Sequence, residues 1–264
     1  MIKICTVYFK GKYNPDYVSK LYRSIKRNTS IPFQSICLSD TKDVEADIVL
    51  PYNHHSPIPL HWHKLKFFSP HFAYQNPNDE IIIMDIDQVI VNNIDEMIGW
   101  PVSDNELVTY NSWWNTKLPI NGGWYKFKSN TVNGIWNDFI RSVKYWPTYY
   151  YNSGKVHEKY YGEQNFVYER CRYNNIKLTL MNPEWLGNYS TDLKTNVRYN
   201  AIYCNKFNTD YMLLDKPNDN LKVIHLAGVD KNLHDVKETW IKEYWKWYLL
   251  GKELVHWILV ICVL

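Results

Sequence analysis

Ile81-Ile82-Ile83-Met84-Asp85-Ile86-Asp87-Gln88-Val89-Ile90-Val91 is the stretch on which the reading of this chain turns. It is a strand-like, almost wholly apolar run interrupted by two carboxylates. An unpartnered buried carboxylate is costly, and two side by side repel each other. A divalent cation bound where the strand leaves the sheet removes both costs. Hard cations of the Mg²⁺ or Mn²⁺ kind take carboxylate oxygens and complete their shell with water and phosphate oxygens. Asp85 and Asp87 therefore mark a candidate site for a metal and a diphosphate. The plainer alternative is two Asp residues capping a turn. The apolar flanks on both sides and the further motifs below favour the metal.

Working outward from this run, the first half alternates strands and helices. Ile2–Phe9 reads as a strand, Asp16–Arg27 as a helix entered through Pro15, and Phe33–Leu38 and Ile48–Leu50 as strands. His61–Ala73 reads as a helix stopped by Asn76-Pro77-Asn78-Asp79, and Glu80–Met84 as the strongest strand. This order predicts an α/β sheet flanked by helices, with ligands at the carboxyl ends of the strands, where Asp85 and Asp87 fall. The second half is less regular. It reads as strands at Glu106–Tyr110, Gly122–Lys128, Lys177–Met181 and Leu221–Leu226. Helices are expected at Val132–Val143 and Glu163–Tyr173, with an aromatic loop over 145–161.

A chain of 264 residues can bury a sizeable core. Its net charge of +3 speaks against a nucleic-acid partner. Aromatic residues make up 16% of it, with 22 Tyr and 12 Trp, a composition that suits ligands with apolar faces and hydroxyl edges, such as sugars, as well as core filling. Cys5, Cys37, Cys171, Cys204 and Cys262 are scattered without C-x-x-C spacing, which argues against a disulfide framework and a zinc site. With no basic-then-apolar leader before the first strand, the expected location is the cytoplasm, or a host cytoplasm for a viral protein. Glu238–Leu250 is rich in Trp and Tyr and leads to the apolar run Trp257–Leu264. That run is far short of the ~20 residues that span a bilayer. A terminal helix packed on the domain or a partner is the main expectation, and contact with a membrane surface the lesser one.

Four blocks in order resemble glycosyltransferases of the GT-A fold that use nucleotide sugars, especially family 8 and related viral, phage and bacterial enzymes. They are Met84-Asp85-Ile86-Asp87, Ile120-Asn121-Gly122-Gly123, Tyr161-Gly162-Glu163-Gln164-Asn165 and His225-Leu226-Ala227-Gly228-Val229-Asp230-Lys231. The resemblance implies a GT-A type (Rossmann-like) mixed sheet flanked by helices. It implies a single domain over 1–235, and the aromatic and apolar residues beyond it read as a C-terminal helical tail over 236–264. It implies a hexosyltransferase-like enzyme that moves a sugar from a nucleotide-sugar donor, a UDP-sugar by likeness, to a carbohydrate or other hydroxyl acceptor, with retention of configuration.

Under that resemblance Asp85, Asp87 and His225 hold Mn²⁺ or Mg²⁺. Thr6, Tyr8, Lys64, Asp85, Asn121, Gly123, Gly228 and Lys231 meet the donor, and Glu163 and Gln164 face the reacting sugar. Asp40 is a further candidate for the nucleoside pocket, and Trp113-Trp114 for stacking on an acceptor. The residue types suit this chemistry. A bound divalent cation stabilises a leaving diphosphate, Gly228 permits close backbone approach, Lys231 carries a mobile charge, and Asn121 can both donate to and accept from hydroxyls. The bland alternatives are a turn histidine for His225, a solvated helix face for Lys64 and helix-dipole compensation for Glu163. In place of the family's Asp-Gln-Asp this chain has Glu163-Gln164-Asn165. That change leaves room for a nucleotide-sugar-binding protein without turnover.

Overall fold

A computed structural model of the chain describes residues 1–52, 58–111, 120–157, 162–189, 219–226, 236 and 239–246. Its centre is a 7-stranded sheet in the order β3-β2-β1-β4-β7-β6-β8. The strands are β1 (Ile2–Tyr8), β2 (Phe33–Ser39), β3 (Ile48–Pro51), β4 (Glu80–Met84), β6 (Glu106–Asn111), β7 (Ile120–Lys128) and β8 (Lys177–Leu180). A second, 3-stranded sheet has the order β5-β10-β9, from Gln88–Ile90, Val223–His225 and Leu186–Asn188. The helices are α1 (Asp16–Arg27), α2 (Asp95–Ile98), α3 (Gly134–Ile140), α4 (Tyr145–His157), α5 (Glu163–Tyr173) and α6 (Thr239–Lys246).

The apolar run of β4 follows from its place. It lies between β1, parallel with Ile4 opposite Ile82, and β7, antiparallel with Ile83 opposite Tyr125. Both faces are covered, so both must be apolar. Ile82 and Met84 join the core under α1, whereas Ile81 and Ile83 join the core on the opposite face with Phe67, Phe139 and Phe166. On α1, Val18, Leu21 and Ile25 are fully buried. Each such side chain stabilises the fold by about 1.5–3 kcal/mol relative to exposure.

Three expectations need correction. His61–Ala73 is not an α-helix. Leu60–Phe68 and Phe72–Tyr74 are 3₁₀ segments, with Ala73 at φ 60. Pro70 forbids an α conformation at Ser69, whose ψ is 134, and so ends the first segment. Trp62 through Phe68 are all buried, so no solvent face imposes a 3.6-residue period. The second correction is the aromatic loop, because Tyr145–His157 is helical. Pro147 falls in the first turn, where its missing N–H costs nothing. Trp146 packs on Phe166 at 5.3 Å, and Tyr150 is buried beside it. The helix expected at Val132–Val143 is shorter, Gly134–Ile140.

α6 lies against α1. Ile241 and Trp245 are buried, and the Trp245 ring meets Tyr17 edge-on at 4.9 Å. Among the described residues no helix is long and apolar enough to cross a membrane. Much of the aromatic excess fills the core, as Trp124, Tyr125, Tyr110 and Tyr150 show. Cys5, Cys37 and Cys171 are buried free thiols.

Candidate active site

The chain leaves the central sheet at Met84 and enters the second sheet at Gln88. Asp85-Ile86-Asp87 is the bridge between them. Its backbone is fixed at both ends, because Asp85 N–H donates to Gly123 O at 3.1 Å and Leu226 N–H donates to Asp87 O at 2.8 Å. The second bond, with the pairing of β5 and β10, sets His225 beside the carboxylates. His225 Nε2 lies 3.3 Å from Asp87 Oδ1 and 3.8 Å from Asp85 Oδ2. One ligand atom from each of the three residues falls within 4.8 Å of the others.

These distances suit a metal. Adjacent ligands of an octahedral ion bound at about 2.1 Å stand roughly 3 Å apart, so the two His225 distances are near that spacing and the cluster, spread within 4.8 Å, closes further on an ion. The donor set, two carboxylates and one imidazole, suits a transition metal such as Mn²⁺ as well as Mg²⁺. Burial alone would raise the Asp87 pKa. The His225 imidazole, Lys12 and the Tyr13 hydroxyl outweigh it and hold the carboxyl well below its usual range. An ionised carboxylate is the form that a metal ligand must take.

Lys64 comes from the buried 3₁₀ segment and reaches across this site. Its Nζ lies 2.6 Å from Asp85 Oδ1, 2.9 Å from Gly122 O and 3.1 Å from Glu163 Oε1. Burial alone would lower the Lys64 pKa, but the two carboxylates reverse this and hold it well above its usual value, so it stays charged. Asp85 and Glu163 thus share the Lys64 ammonium, while Asp87 faces His225 and Tyr13 instead. His61 Nε2 is 3.9 Å from Glu163 Oε2, and burial lowers the pKa of its ring.

A bulge in the β6–β7 pairing at Thr109/Tyr110 supplies the floor. The Thr109 hydroxyl donates to Asn121 O at 3.0 Å or to Trp124 O at 2.6 Å, on either side of Gly122-Gly123. Gly123 N–H donates to Asn121 Oδ1 at 2.5 Å, and Gln88 Nε2 donates to Gly123 O at 2.7 Å. A Cβ on Gly122 would meet Glu163 Oε1 at 2.3 Å, and one on Gly123 would meet His225 Cε1 at 2.9 Å. The glycines are what let α5 and β10 close on β7.

Glu163 and Gln164 open α5, and both are buried. Gln164 Oε1 accepts from Gly122 N–H at 3.3 Å, while its Nε2, like Gln88 Oε1, has no partner among the described residues. Asn165 serves the backbone, since its Oδ1 accepts from Gly162 N–H at 3.0 Å and caps the helix.

Asp85, Asp87, His225, Lys64, Asn121, Gly123, Glu163 and Gln164 therefore form one connected group. Thr6 is buried, with its hydroxyl 2.8 Å from that of Tyr22. Tyr8 donates to Tyr13 O at 3.0 Å, and Asp40 accepts from Lys10 N–H at 3.0 Å. Gly228, Lys231, Trp113, Trp114 and Tyr161 lie outside the described residues. Sequence reasoning passed over Tyr13, whose hydroxyl donates to Asp87 Oδ2 at 2.8 Å, as well as His61 and Gln88. Nothing in the local sequence around Tyr13 signals that contact, because it spans from the β1–α1 loop to the end of β4.

No protein-family model matches the chain, and no curated protein matches its sequence. Solved structures do match. The apo structure of WbbM, a bifunctional glycosyltransferase, aligns over 93% of this chain and 51% of its own, with TM-score 0.59 and 12% identity. The galactosyltransferase LgtC, solved with donor and acceptor sugar analogues, aligns over 92% of this chain and 93% of its own, with TM-score 0.61 and 13% identity. GlyE, a glycosyltransferase of Streptococcus pneumoniae TIGR4, aligns over 96% of this chain and 63% of its own, with TM-score 0.61 and 12% identity. The chain thus spans about half of WbbM and nearly all of LgtC. At such identities the likeness is one of fold, and the fold is that of the GT-A glycosyltransferases.

Proposed function

We propose that this chain is a metal-dependent glycosyltransferase that moves a sugar from a nucleoside diphosphate sugar to a hydroxyl acceptor. The donor is assigned as a UDP-sugar and the outcome as retention of configuration, both on the resemblance of the motifs. The observation that carries the reading is the Asp85–Asp87–His225 cluster at the carboxyl end of β4 in a GT-A sheet. The domain is assigned to 1–235, with 236–264 as a tail.

A bound Mn²⁺ or Mg²⁺ would supply Lewis-acid stabilisation to the leaving diphosphate. The protein's own groups account for the rest. Asn121 and the Nε2 of Gln164 are polar groups beside the glycine strip, suited to sugar hydroxyls. Lys64 fixes Glu163 and Asp85 relative to each other. Gly228 and Lys231 are assigned to the diphosphate by their motif alone.

The test is a donor-hydrolysis screen over nucleotide sugars, with Mn²⁺ and with EDTA. Turnover of one UDP-sugar in Mn²⁺, abolished by EDTA and by Asp87→Asn, is expected. Full turnover in EDTA overturns the metal. Tight donor binding with neither hydrolysis nor transfer would make the chain a binding protein.

A further inference from the structure

Asp87 offers two oxygens, and the torsion that exchanges them is soft. In the structure they have different partners. Oδ1 faces His225, while Oδ2 accepts the Tyr13 hydroxyl at 2.8 Å. Tyr13 lies in the loop between β1 and α1, where Lys10, Gly11, Lys12 and Asn14 are exposed and Gly11 has φ +98. A loop of this kind does not by itself hold a side chain to the precision a metal site needs.

Tyr13 is nevertheless tied on two sides. Its backbone carbonyl accepts the hydroxyl of buried Tyr8 at 3.0 Å. Its ring packs on Tyr17 at 5.0 Å, and Tyr17 in turn meets Trp245 edge-on at 4.9 Å. Trp245 belongs to α6, and its indole is itself covered by Lys20, whose Nζ is 5.3 Å from the ring centroid. An aromatic column therefore runs from α6, across α1, to one oxygen of a candidate metal ligand.

We infer that Tyr13 is a positioning residue that keeps Asp87 Oδ1 turned toward His225, and that α6 sets the metal affinity of the site through Trp245 and Tyr17. This rests on the reading of Asp85, Asp87 and His225 as a metal site. It gives the aromatic C-terminal segment a role that neither the fold nor the proposed reaction requires of it. Carboxylate ligands are commonly oriented by hydrogen bonds of this kind, and loss of such a bond costs roughly 10–100-fold in metal affinity. Coupling through packed rings is weaker and is read from a cycle of variants rather than from proximity.

The experiment is a titration of the nucleotide-free full chain with Mn²⁺, following free Mn²⁺ by EPR. Circular dichroism verifies the fold of each variant. Wild type is expected to bind one Mn²⁺, and Asp87→Asn is expected to abolish binding. If wild type binds none, the metal reading itself fails. Tyr13→Phe keeps the ring and removes only the hydroxyl, and it is expected to weaken binding about 10-fold or more. Wild-type affinity in Tyr13→Phe overturns the positioning role while leaving the metal site intact.

Trp245→Ala is expected to weaken binding by a smaller factor, and Trp245→Phe to restore most of it. If Trp245 acts through the Tyr13 hydroxyl, Trp245→Ala adds nothing in the Tyr13→Phe background. Should Trp245→Ala fail to fold, the milder Trp245→Leu carries the same cycle. Additive losses, or no loss from either Trp245 substitution in a folded protein, overturn the link to α6.

Discussion

Gly122 and Glu163 are close enough that a single added carbon on the glycine would stand 2.3 Å from the glutamate's Oε1. The glutamate cannot retreat freely, because Lys64 holds the same oxygen at 3.1 Å. Gly122→Ala is therefore expected to push the start of α5 away from β7 and to destabilise the protein by about 1–3 kcal/mol, as overpacking does. Donor binding should fall with it, since Gln164 shares the contact. Urea unfolding and donor titration on the same sample check both. Wild-type values for both would mean that α5 is not seated as described.

Among the described residues Lys64 is the ammonium shared by Asp85 and Glu163, and it is almost wholly buried. Removing one partner of such a group strands the others. Lys64→Met is expected to cost on the order of 3–5 kcal/mol. Replacing Glu163 with Gln in the same chain should recover part of that loss, because one stranded charge is gone. A double-mutant cycle by denaturant unfolding measures the coupling. Additive effects would show that the two side chains do not interact in solution.

A metal that binds only the folded chain must raise its stability. Mn²⁺ at 100-fold over its dissociation constant is expected to add about 2.7 kcal/mol. The rise should vanish with Asp87→Asn and shrink with His225→Ala. Ca²⁺ should act more weakly, because an imidazole ligand suits a transition metal better than an oxygen-seeking ion. Thermal scans with each ion and with EDTA provide the comparison. An equal shift in Asp87→Asn would place the ion elsewhere.

Stability in acid should depend on Glu106. This residue of β6 accepts Lys177 Nζ at 2.8 Å and Ser103 N–H at 2.8 Å, and it is also bonded by the Thr179 hydroxyl of β8. Burial would raise its pKa, but these partners outweigh burial and bring it down to about 2 from 4.5. As pH falls, the unfolded chain takes up the proton first. The stabilisation is thus present above pH about 4.5 and is lost as pH falls toward about 2. Glu106→Gln should be less stable than wild type near neutrality, and the gap should close in that window. Unfolding by urea at neutral pH and at pH about 3 reads this. A constant gap would assign the effect to packing rather than charge.

The core of the sheet was legible because burial writes itself directly into sequence. β4, covered on both faces, had to be a continuous apolar run. Asp85 and Asp87 stood out for the same reason, as charges where none is cheap. α1 was equally plain, with one buried face and one solvated face. The enclosed segment Leu60–Phe68 was misread because full burial erases the pattern that separates α from 3₁₀ geometry. α4 was misread because its Tyr and Trp residues look like loop aromatics until Phe166 is there to pack on. Tyr13 was invisible because its role depends on a contact from the β1–α1 loop to the end of β4 that no local spacing encodes.

Glu163 poses the sharpest question about the chemistry. Its Oε1 is engaged by Lys64 at 3.1 Å, and its Oε2 faces His61 at 3.9 Å. A carboxylate held through one oxygen by a buried lysine is restrained, as befits a group that orients sugar hydroxyls rather than one that swings to collect an acceptor proton. In a retaining reaction the leaving diphosphate can take that proton, so no strong base is needed on the protein. Glu163→Gln preserves shape and removes charge. An orienting role predicts a measurable fraction of the wild-type rate, whereas a general-base role would cost on the order of 10²–10⁴-fold. The expected result is the first, together with a first-formed product of retained anomeric configuration by NMR. An inverted product with a rate loss of the larger size would make Glu163 the base and reverse the stereochemical assignment.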